Sequence, residues 1–256
     1  MSTMKERNRR NRSRRQHGFT LIELMISVAV GLFLVGGLLT ILQNMGNTRT
    51  NQTLMAQLQD NQRIAMTMVT DIVQSTGYFP DPTTYTNLTA LPSTTVGAAT
   101  IAAGQALYGT HLVADPGDTL TVRFATADSD TIINCVGGTN TSLPIARYVN
   151  TFSVTAGPQG QLVCSLNSAA ASPLVSGLTR MDVWYGVKRD LTVDNNNVDT
   201  YLTADQLTAA DWSNVSSVKV RLTFSNPLAG PAHLEQPALI RFTRTIAVMN
   251  RAGVKT

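Results

Sequence analysis

Charge is scarce in this chain, and histidine and cysteine are scarcer. Asp, Glu, Lys and Arg make up 14% of its 256 residues, with three histidines and two cysteines. An ordinary soluble domain carries about 25% charged residues. His17, His111 and His233 lie far apart, and no G-x-S-x-G or phosphate-cradling glycine loop occurs, so no catalytic constellation can be assembled and no enzyme is expected. Cys135 and Cys164 stand apart, with no C-x-x-C and no histidine near either, which excludes a zinc site. In an exported chain they would pair as one disulfide, worth roughly 3–4 kcal/mol of loop-closure entropy; two free buried thiols are the alternative. The stretch from Asp190 to Asp205 is rich in Asp and Asn, as calcium sites are. But Val198 and Asp199 stand where an EF-hand needs an oxygen ligand and a glycine, so Asn195-Asn196-Asn197 reads as a tight turn. Asp190, Asp194, Asn196 and Asp199 are the remaining metal candidates; no cofactor is expected.

The charge that is present is unevenly placed. The sequence pI of about 9.3 would point to nucleic acid, yet the first 18 residues hold seven basic residues against one acid, Glu6. The remainder holds 13 basic and 15 acidic residues, a net −2. Bulk attraction to a polyanion is therefore a property of the leader alone. Directly after it, residues 19–42 read FTLIELMISVAVGLFLVGGLLTIL, with Glu23 as the only charge. At ~1.5 Å per residue this run spans a bilayer as a helix. The basic leader places the N-terminus in the cytoplasm and the rest outside. No small-residue cleavage site follows the run, so a cut would fall before it and leave the span in place. A carboxylate inside such a span is expensive and marks a functional position. Gly31, Gly36 and Gly37 interrupt the span, either to let helices approach closely or to soften it.

Gly18-Phe19-Thr20-Leu21-Ile22-Glu23-Leu24 resembles the class III signal of type IV pilins and type II secretion pseudopilins. The resemblance implies cleavage between Gly18 and Phe19 by a prepilin peptidase and N-methylation of the new N-terminal Phe19. Glu23 then becomes the fifth residue of the mature chain. It is placed to pair with the α-ammonium of a neighbouring subunit, because two charges that are costly alone in hydrocarbon are far less so together.

Beyond residue 42, Leu54, Leu58, Ala65, Met68, Val69 and Ile72 recur with helical spacing, and no proline precedes Pro80. One helix is expected from about Thr20 to about Ser75. Residues 83–114 contain no charged side chain and read as irregular, with at most a short helix or strand; they are either a solvated loop or a patch facing another subunit. From Asp118 on, alternating runs predict strands. These are Leu120, Val122 and Phe124; Arg147 to Val154; Met181 to Val187; Val218, Val220, Leu222 and Phe224; and Ile240, Phe242, Ile246 and Val248. Arg244 breaks the apolar side of the last run and reads as a bulge, a strand end or a buried pair. The expected fold is α+β: a long N-terminal helix, membrane-spanning then amphipathic, packed on a C-terminal antiparallel sheet. Its parts are a cleaved leader (1–18), a transmembrane and assembly helix (19–42), an amphipathic helix (43–77), an irregular connection (78–117) and a β-rich head (118–256).

Further segments are similar to the PilW family of minor pilins: Leu58 to Ala65, Asp71-Ile72, Thr76-Gly77-Tyr78-Phe79, Val183-Trp184-Tyr185-Gly186, the Asp/Asn-rich loop, Asp211-Trp212, Val215 to Leu222 and Thr245 to Arg251. The resemblance implies a low-abundance subunit, anchored in a bacterial inner membrane with its head in the periplasm, that primes type IV pilus assembly and sits at the tip. Its implied partners are minor and major pilins, the prepilin peptidase, the inner-membrane assembly platform and a PilY-type tip adhesin. A minor pseudopilin of type II secretion is the nearest alternative. A pilin that binds DNA is another, built on a stripe of Lys219, Arg221, Arg241, Arg244, Arg251 and Lys255, but no stacking aromatic stands among these residues and the mature net charge opposes it.

Overall fold

A computed structural model describes residues 18–157, 159–189, 198–230 and 235–251. Helix α1 runs without a break over Leu21–Gln74, one residue inside each expected end. The chain divides into two compact units, the first ending at Gln52 and the second beginning at Thr53.

In the first unit residues 18–50 are all exposed. Leu21, Leu32, Phe33 and Leu42 show 78%, 68%, 82% and 62% of their surface. This half of α1 is long and apolar enough to cross a membrane. It is apolar on all sides because its surroundings must be apolar on all sides.

In the second unit the rest of α1 buries one stripe: Leu58, Ala65, Met66, Val69, Ile72 and Val73. The expected Met68 is only half-buried, and Met66, two positions earlier, takes its place against the sheet. Three residues before Val69 and seven before Val73, Met66 sits on the buried face.

The stripe packs on an antiparallel sheet. Its strands are β3 (Leu107–Thr110), β4 (Thr119–Thr126), β5 (Ala146–Val154), β6 (Gly160–Leu166), β7 (Ser172–Val187), β8 (Thr200–Leu202), β9 (Val215–Ser225) and β10 (Leu239–Ala247). The order is β10-β9-β7-β6-β5-β4-β3, with β8 also paired to β7. Alternation is clean where one face meets the helix: Leu120, Val122 and Phe124 in β4, and Val218, Val220, Leu222 and Phe224 in β9, are all buried. The α+β arrangement is therefore as expected. Strand β6 and the first half of β7 had no sequence signal. Leu162, Val163 and Cys164 form an unbroken apolar run, and Pro173 and Gly177 interrupt the next one, so period-2 alternation is lost there.

The sheet curls. Strand β7 pairs with β6 through its first half and with β9 through its second, with register shifts on both sides. On its other edge Met181 bridges Gly117, and the Asp118 amide donates to the Met181 carbonyl at 2.8 Å. Gly117 has φ +91°, and a Cβ there would lie 2.2 Å from the Met181 oxygen, so only glycine lets the backbones meet. The buried Asp118 carboxylate accepts hydrogen bonds from His111 Nδ1 (2.8 Å), the Leu112 amide (3.0 Å) and the Val183 amide (2.7 Å). His111 is thus a half-buried structural partner of Asp118.

Residues 78–117, expected to be irregular, carry four elements: α2 (Asn87–Ala90), the hairpin β1 (Thr94–Val96) and β2 (Ala99–Ile101), and β3. The last belongs to the main sheet, so the sheet begins before residue 118. Two arginines hold the segment down. Arg123, only 3% exposed, donates from Nη1 to the carbonyls of Gln105 (2.9 Å) and Ala102 (3.2 Å), and from Nη2 to that of Pro92. Arg147 donates to the carbonyls of Ala90 (2.8 Å) and Thr89 (3.2 Å). A charge-free segment has no pattern of its own to read; its anchors lie in strands β4 and β5.

Candidate functional site

The N-terminal junction is built on one helix start. Thr20 caps α1: its Oγ1 accepts from the Glu23 amide at 3.3 Å, and its carbonyl accepts from the Leu24 amide at 3.2 Å. Glu23 therefore sits in the first turn, where the helix dipole favours a carboxylate. Gly18 and Phe19 precede the helix and are exposed, Phe19 at 83%. With Phe19 and Glu23 four positions apart, the junction and the carboxylate lie about one helical turn from each other. Residues 1–17, with the basic leader, lie outside the described residues.

Cys135 and Cys164 are joined by a disulfide, so the free-thiol alternative does not hold. It ties the β4–β5 connection to β6. Beside it the Cys135 amide donates to Asn150 Oδ1 at 2.9 Å, and Asn150 is fully buried.

Of the metal candidates, Asp190, Asp194 and Asn196 lie outside the described residues. The Asp199 carboxylate accepts from the Arg189 amide at 2.8 Å. Among the described residues no group of three or more His, Cys, Asp or Glu could hold a metal ion.

The late basic residues do not form one stripe. Lys219, Arg221 and Arg241 share the face of β9 and β10 turned away from α1, because Arg241 pairs with Thr223 and Thr243 with Arg221. Arg244 pairs with Val220 and lies on the opposite face, where its Nη1 donates to Thr70 Oγ1 of α1 at 3.1 Å. It is neither a bulge nor a buried ion pair, but an exposed link between helix and sheet. The Arg251 side chain and Lys255 lie outside what is described. Contrary to the sequence reading, aromatics do stand among the basic residues: Lys219 lies over Tyr201 (4.5 Å) and Trp184 (5.5 Å), and Arg221 over Trp184 (4.8 Å). Strand pairing brings Trp184 beside Lys219, a contact that sequence distance hides. Asp182 partly neutralises this face, pairing with Arg180 at 2.6 Å and Arg221 at 3.0 Å.

Two sequence segments meet in space. The Trp212 ring packs edge-on against Tyr185 at 4.8 Å and tilted against Tyr108 at 5.6 Å. The Asp211 carboxylate accepts from Arg189 Nη2 at 3.0 Å and the Thr208 amide at 2.9 Å; these bonds, that to Arg189 first, hold its pKa at about 2. Tyr185 is fully buried, and its hydroxyl has no hydrogen-bond partner among the described residues. Burial first, then the nearby Asp118, pushes its pKa upward. Tyr185→Phe is therefore expected to hold or raise the thermal midpoint, since an unpaired buried hydroxyl costs about 1–3 kcal/mol. A midpoint lowered by several degrees would show that the hydroxyl is satisfied after all.

Residues 148–252, from within β5 to just beyond β10, match the family of Type IV Pilus-assembly protein W, PilW. Residues 13–39, spanning the Gly18–Phe19 junction and Glu23, match the prokaryotic N-terminal methylation motif. No curated protein matches the sequence. Among solved structures, the Type IV-like pilin TTHA1219 from Thermus thermophilus aligns with a TM-score of 0.42 at 14% identity, over 76% of this chain and 97% of its own. The chain thus carries a PilW-like segment that builds most of the sheet and, at the mouth of an exposed apolar helix, the prokaryotic N-terminal methylation motif.

Proposed function

We propose that this chain primes assembly of the type IV pilus and stays at the fibre tip. It would begin as a single-pass inner-membrane protein with its N-terminus cytoplasmic and its head periplasmic. The observation that carries the reading is Glu23, the single charge of the exposed apolar run 19–42, about one turn from the Gly18–Phe19 junction. Cleavage there frees an α-ammonium at Phe19. Each charge alone resists burial in hydrocarbon, and the carboxylate of one subunit with the ammonium of the next relieves both. The same apolar surface serves the bilayer before assembly and neighbouring helices after it. In the head, residues 83–114 carry no charge and expose Leu88 at 57% and Val113 at 81%, which suits lateral packing on other minor-pilin heads and on a PilY-type adhesin.

Glu23→Ala is expected to be inserted and cleaved normally yet to reduce surface piliation at least about tenfold, because losing one member of a buried pair costs about 3–5 kcal/mol. Normal piliation in that variant would sink the pairing mechanism. Gly18→Ala in the same strain should run as the larger, uncleaved form on a denaturing gel. Deleting the gene should abolish twitching and leave protein secretion intact; the reverse pattern would assign the chain to type II secretion instead.

A further inference from the structure

A cavity of about 220 Å³ lies between the β1–β2 segment and the sheet face away from α1. Its wall includes Arg123, Arg147, Ser93, Thr94, Thr95 and Ser168, and no Asp or Glu. Arg123 is 3% exposed, and buried arginines are ordinarily paired with an anion. Here the guanidinium meets only backbone carbonyls, and its Nε has no partner among the described residues. Arg147, exposed at the rim, engages two carbonyls through Nε and Nη2, and its Nη1 has no protein partner among the described residues. The hydroxyls of Ser93, Thr94, Thr95 and Ser168 have no protein partner among the described residues and face solvent at least in part. Two fixed positive charges, a surplus of donors and no acidic group are the features of an oxyanion receptor, since guanidinium forks match carboxylate and phosphate oxygens.

We propose that this cavity binds a single oxyanion group, a phosphate ester or the carboxylate of an acidic side chain, through Arg147 and Arg123. The anion would neutralise the buried Arg123 and lock the β1–β2 segment onto β4 and β5.

The test uses the full mature chain in detergent, titrated calorimetrically with inorganic phosphate and, separately, with N-acetylglutamate, at constant ionic strength set by chloride. Saturable binding of either at about 1 mM or tighter is expected. Binding of phosphate alone assigns a phosphate ester as the ligand; binding of N-acetylglutamate alone assigns an acidic side chain. Arg147→Gln should weaken binding roughly tenfold or more, the worth of a hydrogen bond to a charged group. Arg147→Lys keeps the charge without the fork and guards against loss of the local fold; it should fall between the two. No binding of either probe, or equal affinity in all three proteins, overturns the proposal.

Discussion

Gly109→Ala will unfold the head or lower its thermal midpoint by about 6–12 °C, the equivalent of ~3 kcal/mol in a unit of this size. Gly109 lies in β3, where a Cβ would stand 2.0 Å from the Tyr185 hydroxyl and 2.6 Å from the Thr119 carbonyl oxygen. The first atom caps a fully buried ring, and the second belongs to the backbone of the neighbouring strand. Neither can retreat without opening the contact between β3 and the second half of β7, and overpacked cores relax only at a cost. Adding Tyr185→Phe removes the nearer obstacle and leaves the carbonyl, so the double variant should recover part of the loss. A Gly109→Ala midpoint within a few degrees of the parent protein would show that β3 and β7 do not approach as described. Because Tyr185→Phe alone is expected to be harmless, the pair of variants separates steric overlap from a general intolerance of change at Tyr185.

Removing the disulfide should be nearly as costly. The double variant Cys135→Ala, Cys164→Ala is expected to lose about 2–5 kcal/mol. The bridge closes a loop between residues 29 apart. It fastens a β4–β5 connection whose other ties are mostly local, Asn140 Nδ2 to the Thr126 and Leu143 carbonyls and Asn134 Oδ1 to the Val136 and Gly138 amides, beside the Cys135 amide to Asn150 and the Tyr78 hydroxyl to Asp130. Wild-type protein under strong reductant should melt with the double variant, and neither should match the oxidised protein. If the variant and the oxidised protein melt together, the bridge contributes no net stability and the loop is held by its asparagines.

How much of this was legible beforehand varied with the kind of signal. The span, the amphipathic stripe and the strands β4, β9 and β10 announced themselves, because burial on one face imposes a period on the chain. Met66 displaced Met68 because both fit helical spacing, Met66 three residues before Val69 and Met68 four before Ile72, and only contact with the sheet chose between them. Strand β6 had no alternation to reveal it. The role of Arg244 was ambiguous because its partner, Thr70, lies 174 residues away. The Trp184–Lys219–Arg221 contacts and the Arg123–Arg147 cavity were invisible for the same reason.

The order of charges and apolar residues along the chain by itself determined the junction at Gly18, the exposed apolar helix and the isolated Glu23. These depend on consecutive residues and on transfer between water and hydrocarbon, which act locally. Only the tertiary structure decided how the sheet curls through Gly117 and Met181, which face each basic residue takes, and that two arginines from β4 and β5 close an acid-free cavity under a charge-free segment. Strand pairing creates those neighbours from residues far apart, and no local pattern encodes which edge meets which.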